Sequence, residues 1–115
     1  VLVVEDDLDL LGMLELVLEE MGYRVMTARE GGEALAKIAQ EMPGVIFLDM
    51  KMPGMDGWEF AREFRAGYNR RAPIVVLTAA EDAHQHAEEI GAEDYLGKPF
   101  DIEDLLKKVE RHMSS

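Results

Sequence analysis

Three short apolar runs constrain this chain more than any other feature: Val1-Leu2-Val3-Val4, Val45-Ile46-Phe47-Leu48 and Ile74-Val75-Val76-Leu77. None alternates with polar residues, and each is bounded by turn signals or acids. Runs of this length and character read as strands buried on both faces. Segments of helical period lie between them. Strict alternation of strand and helix with apolar strands implies a parallel sheet covered by helices on both sides, joined by right-handed crossovers. The second run leads directly into Asp49 and a turn-rich loop, Met50 to Gly57. A carboxylate at the mouth of a buried strand is costly unless it has a partner.

Taken in order, the first strand is Val1 to Val4 and ends in Glu5-Asp6-Asp7. Asp7 or Asp9 can cap the helix that follows. Leu10, Leu11, Leu14, Val17, Leu18 and Met21 form its apolar face, and Gly22 stops it. Tyr23 to Ala28 reads as a second strand. Gly31-Gly32 precede a helix with Ala34, Leu35 and Ile38 on one face, ended by Pro43-Gly44. Val45 to Asp49 is the third strand. A helix from Asp56 to about Ala66 buries Trp58 or Phe60, with Ala61 and Phe64. Arg65 to Arg71 reads as a basic, turn-rich loop. Pro73 to Thr78 is the fourth strand, and Glu81 to Ile90 is a helix closed by Gly91. Ala92 to Leu96 is the fifth strand, Lys98-Pro99-Phe100 a loop, and Asp101 to about His112 the last helix. Five such units make a doubly wound (βα)5 three-layer α/β sandwich, and the common strand order is 2-1-3-4-5.

At 115 residues the chain has the size of one domain with a real core. It has no apolar run near the ~20 residues that a membrane helix needs. It has no cysteine, which removes disulfides and thiolate chemistry and makes a cytoplasmic location the default. A net charge of −12 argues against nucleic-acid binding by this domain and suits cations. Val1 already reads as core strand, so a natural start is expected upstream. Met113-Ser114-Ser115 leaves room for a linker and a further domain, so residues 1–115 read as one domain that could belong to a longer chain.

In this architecture ligands sit beyond the C-terminal strand ends, at the switch point between strands 1 and 3. Glu5-Asp6-Asp7 and Asp49 therefore share one rim, with Thr78 and Lys98 close by. Carboxylates packed together raise each other's pKa unless a cation intervenes. A few hard oxygen ligands with room for water suit Mg²⁺ better than Ca²⁺. The first turn has acids where a dinucleotide or nucleotide site would place glycines. It also lacks the hydroxyls that a flavin site would want. A lysine and a hydroxyl beside a divalent cation form a clamp for a phosphoryl group. A carboxylate there can attack phosphorus to give an acyl phosphate.

Val3-Val4-Glu5-Asp6-Asp7, Leu48 to Gly57, Leu77-Thr78-Ala79 and Lys98-Pro99-Phe100 together resemble the signature set of response-regulator receiver domains of two-component systems. The resemblance covers the whole chain in the right order. It implies a flavodoxin-like, CheY-like fold, with Asp49 as phosphoacceptor. It implies a Mg²⁺ site of Asp6 directly, Glu5 through water, Asp49, and the backbone carbonyl of Lys51. Thr78 would bind the phosphoryl group and Lys98 would pair with it. The Met50 and Ala79 N–H groups are further donors, Lys98-Pro99 would be cis, and Tyr95 would be the switching aromatic. The implied donor is a sensor histidine kinase or a histidine phosphotransfer protein. The output is a changed surface on the fourth helix, fifth strand and fifth helix, read by a downstream effector or an attached output domain. Such a domain transfers phosphoryl to itself and loses it slowly; it is not a turnover enzyme.

Two other readings compete. One is a protein-binding module of the same fold that is never phosphorylated; loss of Thr78 or Lys98 would favour it, and both are present. The other is an aspartate-nucleophile phosphatase. That enzyme wants a second acid two residues after the nucleophile, where this chain has Lys51. Lys51 and the small Ala80 stand at positions thought to tune acyl-phosphate lifetime in this family. The fourth helix carries four acids and no Lys or Arg, which argues against a dimer of the winged-helix transcription-factor kind. His84 and His86, two apart, read as solvated; His112 reads as a charge at a helix C-terminus. Arg62, Arg65, Arg70 and Arg71 read as a solvated basic face.

Overall fold

The computed structural model describes residues 1–113; Ser114 and Ser115, the tail towards an expected linker, lie outside the described residues. Its elements are β1 (Leu2–Val4), α1 (Leu8–Glu20), β2 (Met26–Ala28), α2 (Gly31–Gln40), β3 (Ile46–Asp49), α3 (Gly57–Tyr68), β4 (Ile74–Ala79), α4 (Ala80–Ile90), β5 (Asp94–Lys98) and α5 (Ile102–Met113). The strands form one parallel sheet in the order β2-β1-β3-β4-β5. Five strands and five helices in this order make the flavodoxin-like sandwich expected from the alternation.

Alternate residues of the apolar strands face opposite layers, which is why the strands lack polar positions. Leu2, Val4, Ile46, Leu48, Ile74 and Val76 pack with residues of α2, α3 and α4. Val3, Val45, Phe47, Val75 and Leu77 pack with Leu11, Leu14 and Leu18 of α1 and with Leu105 and Val109 of α5. Met21, expected on the buried face of α1, is exposed because that helix ends at Glu20.

Several boundaries differ from the expectation. β2 begins at Met26 rather than Tyr23, because β1 offers it partners only over Leu2–Val4. α3 runs on to Tyr68, so Arg65 is helical rather than in a loop. The Phe64 and Tyr68 rings, 5.5 Å apart, give that last turn a tertiary anchor. α4 starts at Ala80, directly after β4. β5 is shifted two residues along, because the six-residue β4 pairs with it from Val75 to Ala79. Lys98 therefore ends a strand, and Pro99, which has no N–H to offer a ladder, follows it.

The arginines and histidines also differ from expectation. Arg65 donates to the Ile90 and Gly91 carbonyls, and Arg70 donates to the Gly91 carbonyl and to Glu93. Two members of the expected solvated face thus close the C-terminus of α4, whose last carbonyls have no partners within the helix. His84 is exposed, but His86 is buried, with its ring edge-on to Trp58 at 4.8 Å. The turn of α4 that carries His86 faces α3, so the two histidines part company. His112 meets the buried Asp94 together with Lys108 and Arg111, tying α5 to β5.

Candidate functional site

The rim is built by the way β1 ends. Glu5 N–H donates to the Ala28 carbonyl, prolonging the β1–β2 pairing by one residue. The chain then leaves the sheet, and Asp7 caps α1 by accepting from the Asp9 and Leu10 N–H groups at 3.0 and 3.2 Å. One of three consecutive acids thus serves the helix, leaving Glu5 and Asp6. β3 lies beside β1 and ends at Asp49, so its carboxylate joins theirs. Glu5, Asp6 and Asp49 each bring an oxygen within 4.8 Å of the others. Glu5 and Asp49 are only 1% and 6% exposed, while Asp6 is more open.

Among the described residues, Lys98 supplies the one ammonium in contact with this group. Its Nζ donates to Glu5 Oε1 at 2.7 Å and lies 3.7 Å from Asp49 Oδ1. The second oxygen of Glu5 accepts from the Asp7 N–H at 3.1 Å. Both oxygens of Glu5 are thus engaged, whereas Asp6 and Asp49 retain free lone pairs. Three carboxylates against one ammonium leave two negative charges unbalanced, the charge of a divalent cation. Burial, then the charge of Glu5, raise the pKa of Asp49 to about 7, with Lys98 pulling the other way and hydrogen bonds to Asp6 and Glu5 adding to the rise. The donor set is all oxygen, with two engaged and several open positions, which fits Mg²⁺ retaining water.

Of the remaining expected residues, Thr78, Ala79 and Met50 fall on or near the same rim, and Tyr95 does not. Asp49 is level with Leu77 in the β3–β4 ladder, which puts Thr78 one step beyond it, buried at the end of β4. Ala79 is level with Lys98 across β4 and β5. The Lys98–Pro99 peptide is cis, as expected. Met50 is buried and its carbonyl accepts from the Gly57 N–H at 3.0 Å, closing the base of the loop that follows Asp49. Lys51 is exposed on that loop. Tyr95 sits apart from the carboxylates, on the outer face of β5. It is 40% exposed, with its ring edge-on to His84 at 5.5 Å. Glu30, which carries no motif in the sequence, also reaches this loop: its carboxylate accepts from the Met55 N–H at 3.3 Å. Its only sequence signal was an acid just before Gly31-Gly32 at the start of α2.

A family model for the response regulator receiver domain matches residues 1–110. The chain belongs to this family. The solved structures it resembles include the receiver domain of a sensor histidine kinase from Pseudomonas aeruginosa PAO1, with a magnesium ion coordinated in its active-site cleft. The two are 34% identical over 99% of this chain and 96% of that one, with a TM-score of 0.89. The chemotaxis protein CheY4 of Vibrio cholerae is 37% identical over 96% of this chain and 95% of its own, at a TM-score of 0.86. The signal receiver domain of a signal transduction histidine kinase from Syntrophus aciditrophicus is 32% identical over 98% and 88%, at 0.87. Receiver domains are generally regulatory rather than turnover enzymes. In this receiver domain the three carboxylates and Lys98 occupy the C-terminal rim of the sheet, where the fold class places its ligands.

Proposed function

We propose that this receiver domain accepts a phosphoryl group on Asp49 from a phosphohistidine, carried by a sensor histidine kinase or a histidine phosphotransfer protein, in a Mg²⁺-dependent step. The observation that carries the reading is the unbalanced charge around a buried carboxylate: Glu5, Asp6 and Asp49 converge with, among the described residues, Lys98 alone to oppose them. Asp6, Asp49 and the Lys51 carbonyl would hold the metal directly, with Glu5 acting through water. When bound, Mg²⁺ neutralises charge on the phosphoryl oxygens.

The chain's own groups divide the rest of the work. A carboxylate oxygen of Asp49 bonds to phosphorus as the P–N bond to the donor imidazole breaks and the imidazole keeps the electron pair. Lys98 is held by Glu5 within 3.7 Å of Asp49, poised to pair with the incoming oxygens. The Thr78 hydroxyl and the Met50 and Ala79 N–H groups are the remaining donors. Drawing Thr78 towards the phosphoryl group vacates space beside β5, and Tyr95 follows inward. Its present exposure and its contact with His84 of α4 support that role, because its movement would alter the surface of α4, β5 and α5. The reader of that surface is a downstream effector or an attached output domain. A cytoplasmic setting follows from such partners, and among the described residues no helix is long and apolar enough to cross a membrane. A net charge of −12 argues against nucleic acid as a direct partner of this domain.

Phosphoramidate, whose P–N bond imitates phosphohistidine, tests the reading with Mg²⁺ present or chelated. The expected result is stoichiometric incorporation that requires Mg²⁺ and is absent from Asp49→Ala. Continuous phosphate release at high turnover would instead indicate a phosphatase. Neither incorporation nor Mg²⁺ binding would indicate a binding module.

A further inference from the structure

The loop after Asp49 carries the Lys51 carbonyl, and its two ends are held differently. At its base the Gly57 N–H donates to the Met50 carbonyl. At its far end everything turns on Met55. The Met55 carbonyl accepts from the Gly31 N–H at 3.0 Å, and the Met55 N–H donates to Glu30 Oε2 at 3.3 Å. Glu30 Oε1 meanwhile accepts from the Glu33 N–H at 2.6 Å, capping α2. One carboxylate thus joins a helix N-terminus to the loop.

The surroundings of Glu30 are shaped to it. Gly54, at φ +72, lies where an added Cβ would come 3.0 Å from Glu30 Oε2. A Cβ on Gly32 would come 2.8 Å from Oε1. The carboxylate therefore sits between two backbones without side chains, close enough to reach N–H groups on both. An N-cap needs only one oxygen and a short side chain, and Asp does it as well as any residue. The extra methylene of glutamate is what brings the second oxygen to Met55.

We propose that Glu30 is a positioning residue of the metal site: by tying Met55 to α2 it fixes the loop that presents the Lys51 carbonyl. The proposal rests on the reading of this rim as a Mg²⁺ site. Groups that orient metal ligands from behind typically govern affinity by about ten- to a hundred-fold. Glu30 acts at one remove further, through four residues of loop, so the lower end is expected.

Glu30→Asp separates the two roles, because aspartate keeps the α2 cap and is too short to reach Met55. Amide exchange would read each bond, thermal unfolding the fold, and fluorescence of Trp58, the sole tryptophan, a Mg²⁺ titration. The expected result is rapid exchange at the Met55 N–H, retained protection at Glu33, an unchanged unfolding midpoint, and Mg²⁺ affinity weakened about tenfold. Released Met55 with unchanged Mg²⁺ affinity would overturn the proposal, as would a Met55 amide still protected in Glu30→Asp. Absence of Mg²⁺ binding in the wild type would overturn the metal-site reading itself.

Discussion

Asp49 shows how position changes the properties of an ordinary side chain. Nothing in its own side chain differs from Asp7, which serves as a helix cap a short distance away. The difference is burial at a strand end, beside Glu5 and Asp6, with one lysine in reach. The consequence for stability is direct. Between the ordinary carboxylate value and about 7, the folded protein holds a proton on Asp49 that the unfolded chain has released. Stability therefore falls as pH rises through that window. Asp49→Asn removes this penalty and should stabilise the metal-free protein by about 1–2 kcal/mol at pH 8. That is less than the whole shift, because the repulsion is shared with Glu5. The gain should fade below pH ~4, where Asp49 is protonated in both states. Mg²⁺ should raise the unfolding midpoint of the wild type and leave that of Asp49→Asn nearly unchanged. Thermal melts across pH would measure this, and a gain that does not fade on acidification would refute the assignment.

At the scale of elements, α4 is held unequally. Its first residue, Ala80, follows β4 without a side-chain cap, while its last carbonyls receive Arg65 and Arg70 from the end of α3. Glu93, accepting from Ile74 N–H and pairing with both arginines, locks the same corner to β4. Side chains from outside the helix therefore hold the end of α4 away from Thr78, and none caps the end beside it. Arg65→Ala removes two hydrogen bonds to carbonyls and the packing of the stem, and should cost about 1–2 kcal/mol. Amide exchange should rise across the last turn of α4 and spare its first. Uniform exchange along the helix would show that the clamp does not anchor it. The arginines looked like a solvated face because sequence spacing gives a residue's own element and not the helix end that packs across from it. The same limit hid His86, whose burial depends on where Trp58 of α3 lies.

Across the whole molecule, what was legible in sequence was what depends on short range. Apolar runs such as Val45 to Leu48 gave strands, because burial on both faces leaves no polar position to blur the pattern. Alternation with helices then left few topologies, and strand order followed. The rim residues were legible because strand ends converge in any such sheet. Boundaries that depend on a neighbour's length were not: β5 reaches Lys98 only because β4 extends to Ala79 to meet it. Glu30 was not legible either, since an acid before a helix reads as a cap and its second bond joins residues 25 apart in sequence.

The central claim is that this rim exists to place a phosphoryl group on Asp49. Intact-mass analysis after incubation with acetyl phosphate, with Mg²⁺ or with chelator, tests it most directly. One Mg²⁺-dependent adduct, stable in acid, labile in base and absent from Asp49→Asn, is the predicted result. An adduct that persists in Asp49→Asn, or none in the wild type with Mg²⁺, would contradict it.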